Sequence, residues 1–544
     1  MYDVSLIAGV VPWILTSVAF VLLILWFLTK NRKLVDLIFL LILSACFVLS
    51  ALMLALSAIE KKTLIYPFGG WPPPLGIVYY VDLVGALIIF FSSFLLLVIG
   101  VYASWYVGLE SSRDRESVLF YVLFLGLSAG LLGCIHTGDL FNLFVMIEVT
   151  AIAAYALVAF HKERSEAIEA TLKYAILGAL ATTLFFISVI TIYASYGSLN
   201  MADIALKSRD PSFRTYFTEI YGALALASSI ALSLAVWSFT FKSALAPNHF
   251  WLIDAHSEAP APVSAALSGL IVNIGVYATA RIALTVLGEG SVVDDLGLLS
   301  ALGIIFTASG TLSAMLGALM MIVQKDCKRL LAYSTISHIG LMYMSLGFAC
   351  ISEERTRELS LAALLFHMIS HSLGKTLTFL AIGVVEKIRN TRDLDQLIGV
   401  GREVPLVGLS VAIGSLSLLG VPPTVGFFSK LMMYNVFIEG GLSVLAVMLI
   451  VASAVSAMGY FKLILIVLSK PLLSVKSQRL AIDLRPALAL TIISVLILVM
   501  PLLLLFGFDE LLIEAARGVV DPETYTLPFR LYLEDYLKKL TSRG

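Results

Sequence analysis

Apolar runs recur fourteen times along the chain, separated by short polar stretches. A run of roughly 20 apolar residues crosses a bilayer as a helix, because its rise matches a hydrocarbon core about 30 Å thick. The pattern predicts spans near 4–28, 35–58, 78–106, 117–135, 140–160, 168–195 and 220–246, followed by 262–287, 295–324, 330–350, 359–386, 404–438, 441–469 and 485–507. Two of these are interrupted by proline beside a lysine: the seventh has Lys242 before Pro247, and the twelfth has Pro422-Pro423 before Lys430. Proline lacks the helical N–H donor and its ring collides with the preceding turn. Broken backbone at membrane depth is tolerated only inside protein or beside water. The two breaks lie five spans apart, and five is odd, so a pair of five-helix repeats would have inverted topology. The expected fold is therefore an all-α polytopic membrane protein of about fourteen transmembrane helices, with two inverted five-helix repeats and broken helices 7 and 12. On that reading residues 1–110 hold spans 1–3, 111–290 the first repeat, 291–470 the second, and 471–544 span 14 with a polar tail. In the tail, Pro528 is expected to open an amphipathic helix carrying Phe529, Leu533, Leu537 and Leu540 on one face, lying on the membrane surface or against another subunit.

Composition adds to this in three ways. Sixty per cent apolar and 13% charged residues in 544 exclude an ordinary soluble globule, and a net charge of −1 gives no footing for nucleic acid as a partner. The four cysteines (Cys46, Cys134, Cys327, Cys350) have no ligand spacing. No cofactor or metal site is thus expected, and any redox centre must belong to another chain. Lysines and arginines set the orientation: eighteen lie in the odd-numbered connections and seven in the even ones. The positive-inside bias puts the odd connections in the cytoplasm and both termini outside a cell membrane. The N-terminal run has no small-residue cleavage site and reads as a retained first span.

Ionisable residues inside apolar spans carry the chemistry. A lysine at bilayer depth costs roughly 2.5–3.5 kcal/mol on insertion scales, so such residues face a polar path or a partner. Glu148 stands in the middle third of the fifth span and Lys242 near the end of the seventh, and the two are expected within ion-pair or single-water reach. A static pair fastening two helices is the competing reading, although such pairs stabilise little for what their desolvation costs. On the eleventh span His367, His371 and Lys375 recur at i, i+4 and i+8, which share one helix face. Histidine titrates near neutral pH and both accepts and donates a proton, so this face suits a proton relay. Lys430 would end the path, with His338, Asn273 and His249 as further pathway candidates. Asp254, His256 and Glu258 fall in or beside the seventh connection, and Asp82 and Arg281 read as structural or interface residues.

The runs Gly138–Glu148, Lys242–Pro262, Lys325–His338, His367–Lys375 and Pro422–Lys430 together resemble the antiporter-like subunits of respiratory complex I, the D-type subunit of Mrp cation/proton antiporters, and their counterparts in membrane-bound hydrogenases and related archaeal complexes. The resemblance covers spans three to thirteen in order. It implies a hydrophilic axis across the membrane centre in which Glu148 pairs with Lys242, protons pass laterally through His367, His371 and Lys375, and Lys430 is the terminal residue. It also implies other membrane subunits as partners, peripheral subunits with iron–sulfur clusters, and protons, with sodium as an alternative ion. One departure stands out: where many relatives carry lysine or histidine in the eighth span, this chain has Asn273, which can hold water but not charge. The reading is an antiporter-like subunit of a redox-driven complex that translocates protons. The alternatives are the D-type subunit of a sodium/proton antiporter without redox partner, and a non-transporting scaffold.

Overall fold

A computed structural model describes residues 4–110, 114–213, 222–470 and 482–541. Among them thirteen helices are long and apolar enough to cross a membrane. Spans 1–6 are Leu6–Thr29, Arg32–Ile59, Leu83–Glu110, Asp114–His136, Leu140–Val158 and Ser165–Tyr196. Span 7 is Leu224–Lys242, span 8 Ala261–Val286, span 9 Leu298–Val323, span 10 Cys327–Ile351 and span 11 Glu354–Arg389. Spans 13 and 14 are Ser443–Leu468 and Leu484–Phe506. The predicted twelfth span is present as two separate helices, Pro405–Leu419 and Val425–Glu439, divided at Pro422-Pro423. The start of the predicted seventh span, and the loop charges Arg113, Arg214, Lys476 and Arg479, lie outside the described residues.

Ion pairs tie the connections together by parity. Arg32 meets Asp114, Arg164 meets Glu258, and Arg392 meets Asp326 and Glu258, all at odd-numbered connections. Lys61 meets Glu514 and Arg357 meets Glu289 at even ones. These pairs join only connections of the same parity, as a chain that crosses the membrane at every span requires.

Three features depart from the expectation. First, a two-stranded antiparallel hairpin, Leu64–Pro67 with Val78–Val81, covers the even face between spans 2 and 3. Second, the seventh span stops at Lys242 itself, and residues read as its connection form a second half-helix, Phe250–Glu258, that reaches the odd face. The chain turns between the halves at Ala244, whose positive φ of 57° no helix accommodates. Third, the tail forms two helices, Phe508–Val520 and Pro522–Thr541. The second opens at Pro522 rather than Pro528 because the Asp521 carboxylate accepts from the Glu523 and Thr524 amides (2.9 and 3.3 Å), a cap that leaves proline its preferred first position. The tail, expected on the membrane surface or against another subunit, docks on this chain's own even face: Arg517 pairs with Glu358 (2.9 Å), and Thr285 donates to the Val519 carbonyl (2.8 Å).

Spans 8, 10 and 11 are the core. Span 8 and the central stretch of span 11 are wholly buried within this one chain, and span 10 nearly so. Span 8 contains two π-helical stretches, Leu267–Ile271 and Arg281–Val286, either side of Asn273. Such stretches free backbone groups from the regular ladder and often occur at functional sites.

Candidate proton-transfer site

Both broken spans bring a lysine to the end of a half-helix, where unpaired carbonyls carry partial negative charge. Lys430 lies on the second half of span 12, and its Nζ donates across the break to the Leu418 and Leu419 carbonyls (2.9 and 3.0 Å) and to Ser453 Oγ (3.1 Å). The halves come this close because Gly426 packs against Ser417: a Cβ at Gly426 would stand 1.7 Å from the Ser417 carbonyl oxygen. Lys242 is the last residue of its own half-helix, and its Nζ is buried with no hydrogen-bond partner. Glu148, half-buried on span 5, is the carboxylate whose charge acts on it, but no ion pair within 4.0 Å joins the two.

His367, His371 and Lys375 all face the interior, each no more than 1% exposed. They are not linked to one another in the order their spacing suggests. Both ring nitrogens of His371 lack a partner, although its ring lies 5.3 Å from that of His338. The connections instead cross between helices. Lys375 Nζ donates to the Leu331 carbonyl (2.8 Å) and to Ser334 Oγ on span 10. Ser334 bonds Tyr460 Oη on span 13, which meets His338 Nε2 (3.1 Å). His338 Nδ1 meets His367 Nε2 (3.0 Å), and His367 Nδ1 meets Ser429 Oγ (3.1 Å), the residue before Lys430. His338, the weaker candidate by sequence, is thus the junction of the cluster. Ser334, Tyr460 and Ser429 are not among the residues the sequence points to. Their signal there is slight: Ser334 lies four residues before His338, and Tyr460 is one hydroxyl in a long apolar run.

Asn273 sits beside this cluster on span 8. Its Nδ2 donates to the Gly269 carbonyl (3.0 Å) and to Ser372 Oγ (2.9 Å), while its Oδ1 is buried without a partner. With Ser372 and Ser92 it lines a cavity of about 20 Å³, which is the room one water needs. His256, on the second half of span 7, is fully buried against Phe379, its nitrogens unpartnered, so it belongs to the interior and not to a loop. His249, at the start of that half-helix, stacks on Phe250 and lies apart from the hydrogen-bonded cluster. Asp82 and Arg281 pair with each other (2.8 Å) under the even face, where Arg281 also lies over Tyr525.

The odd face beneath span 7 is open and charged. Glu166, Glu169, Asp254, Glu258 and Asp326 line a cavity of about 300 Å³ together with Lys173, Arg329 and Arg392. Arg392, outside the spans, loses some stability for its charge on burial, but the Asp326 and Glu258 carboxylates outweigh this and raise its pKa.

Residues 137–459 match the family described as NADH:quinone oxidoreductase/Mrp antiporter, TM. The chain is 36% identical over 419 residues to the NADH-quinone oxidoreductase subunit N of Desulforudis audaxviator, covering 76% of this chain and 77% of that one. It is 32% identical to the D-type subunit of the Na(+)/H(+) antiporter of Alkalihalophilus pseudofirmus, over 70% of this chain and 71% of its length. Its fold superposes with a TM-score of 0.84 on a chain of the membrane-bound sulfane sulfur reductase, an archaeal respiratory membrane complex, at 28% identity over 97% of this chain and all of that one. With two lysine-bearing broken spans around a buried histidine cluster and a match over more than half its length, this chain belongs to the NADH:quinone oxidoreductase/Mrp antiporter family of membrane subunits.

Proposed function

We propose that this chain carries protons as the antiporter-like subunit of a redox-driven membrane assembly. The observation that carries the reading is the unbroken run of buried hydrogen-bonding groups from Lys375 through His338 and His367 to Ser429, next to Lys430. Buried polar groups at membrane depth are costly, and every member of this run both accepts and donates a proton. Glu148 and Lys242 form the second titrating unit. Lys242 without a hydrogen-bond partner represents the separated state of that pair, from which it can take up or release a proton. Asn273 bridges the two units by holding water, and His256 and the charged odd-face cavity supply access from that side. Two breaks five spans apart support paired inverted repeats, and the charge bias of the loops supports an odd face in the cytoplasm with both chain ends outside the plasma membrane.

The partners are other membrane subunits and, on the redox-driven reading, peripheral subunits with iron–sulfur clusters. A second reading rests on the 32% identity to the D-type subunit of a Na(+)/H(+) antiporter: the same path would then serve a sodium/proton exchanger without redox partners. Isolating the assembly through a tag on this chain separates the two. Iron and acid-labile sulfide in the isolated complex support the first. A complex of membrane subunits alone, whose reconstituted vesicles exchange protons for added Na+, supports the second.

A further inference from the structure

The face of span 11 and the cross-helix bonds offer two different routes between the same ends. Along the face, a proton leaving Lys375 would move to His371 and then to His367. Neither step has a hydrogen bond, and His371 has no partner on either nitrogen. Across the helices, every step from Lys375 to Ser429 is bonded through Ser334, Tyr460, His338 and His367. Proton transfer needs donor and acceptor within hydrogen-bond reach. Spans 10 and 13 place these groups without help from span 11: Ser334 and His338 are one turn apart on span 10, and Tyr460 Oη lies between them on the facing helix.

We propose that Tyr460 is a proton-relay residue, and that protons between Lys375 and His367 pass through the Ser334 and Tyr460 hydroxyls and the His338 ring rather than through His371. The inference rests on the proton-carrying reading above. In one passage the Lys375 ammonium gives a proton to Ser334 Oγ as Ser334 passes its own to Tyr460 Oη. Tyr460 gives its phenol proton to His338 Nε2, and His338 releases its Nδ1 proton to His367 Nε2. His367 in turn releases its Nδ1 proton to Ser429 Oγ, while the Ser429 hydroxyl turns from the Gly426 carbonyl and gives its own proton to the neutral amine of the adjacent Lys430. Each relay group forms one bond to hydrogen and breaks one, so all are neutral before and after. Lys375 has lost one proton and the Lys430 end has gained it. The hydroxyls and rings then turn back to reset the run.

The test uses the complete complex, isolated through this chain and reconstituted into liposomes. Tyr460→Phe keeps the ring that packs between spans 10 and 13 and removes only the hydroxyl. It is expected to assemble and to lower proton translocation by roughly 10-fold or more, while His371→Asn keeps most of it. Ser334→Thr retains a hydroxyl and should translocate, whereas Ser334→Ala should not. Wild-type translocation by Tyr460→Phe overturns the proposal. If Tyr460→Phe does not assemble, the serine pair decides: equal translocation by Ser334→Ala and Ser334→Thr, whether both active or both inactive, overturns it. Lys430→Met in the same series separates this failure from a wider one. An active Tyr460→Phe beside an inactive Lys430→Met rejects only the route, and wild-type activity in both rejects proton carriage by this chain.

Discussion

Replacing Asn273 by leucine should leave the fold nearly unchanged and still impair transport. The side chain makes two donor bonds, to the Gly269 carbonyl and to Ser372 Oγ. At about 0.5–1.5 kcal/mol net for each bond, their loss costs roughly 1–3 kcal/mol. Two features offset this. Asn273 Oδ1 is already buried without a partner, a burden of about 1–3 kcal/mol that leucine removes. Ser372 stays satisfied, because its one hydroxyl hydrogen still has the Gly269 or the Met368 carbonyl to donate to (2.6 and 2.7 Å). The net change should fall within about 1–2 kcal/mol of zero, too little to prevent assembly. The functional change is larger, because leucine reaches into the adjoining cavity of about 20 Å³, takes up its room and removes the amide from its lining. A site with less room and fewer polar partners holds a water less well, and the link between Lys242 and the histidine cluster is weakened. Asn273→Lys instead restores a titratable group and should retain or raise transport. The assay is proton translocation in proteoliposomes, with the thermal stability of each assembled variant measured in detergent. Equal translocation by wild type and Asn273→Leu would refute the reasoning, since the path would then avoid this residue.

Gly426→Ala should separate the halves of span 12, because its Cβ would fall 1.7 Å from the Ser417 carbonyl oxygen; a lowered melting temperature and loss of assembly are expected, and a wild-type melting profile would contradict the packing. Arg281→Met should destabilise by about 3–5 kcal/mol by leaving Asp82 buried and unpaired, while Asp82→Leu combined with Arg281→Met should cost less than the single change. A double-mutant cycle in thermal denaturation checks this, and simple additivity would mean the pair is not coupled. Glu148→Gln should keep assembly but reduce translocation, since a neutral amide no longer alternates with Lys242 in holding charge; unchanged transport would remove Glu148 from the path.

The membrane architecture is legible in the sequence because apolar run length and proline are local properties. Among the described residues each predicted span has a helical counterpart, the twelfth as two helices, and both breaks fall beside the expected lysines. What the sequence hides is tertiary. Phe250 to Glu258 reads as a connection because nine residues with three ionisable side chains are too short and polar to suggest a membrane helix, yet they form a largely buried half-helix docked against span 6 and the core. Lys207 counts by sequence as a loop charge, but it is fully buried on the short helix Met201–Arg209, paired with Asp203 (2.9 Å). The helical spacing of His367, His371 and Lys375 puts all three on one face, and that face points inward. Spacing along one helix says nothing of what the neighbouring helices present, so it suggests a ladder where the bonds run sideways through Ser334 and Tyr460. Glu148 and Lys242, expected within ion-pair or single-water reach, make no direct ion pair within 4.0 Å, their ends being held on different helices.

The central claim is that protons pass through this chain, and its most direct test is the Lys430→Met variant in the reconstituted complex. That change removes the ammonium bridging the broken span at Leu418 and Leu419 and leaves a side chain of similar length. With assembly intact and partner turnover still measurable in detergent, proton translocation per turnover should fall by roughly 10-fold or more. Translocation at the wild-type ratio in the assembled Lys430→Met complex would contradict the account.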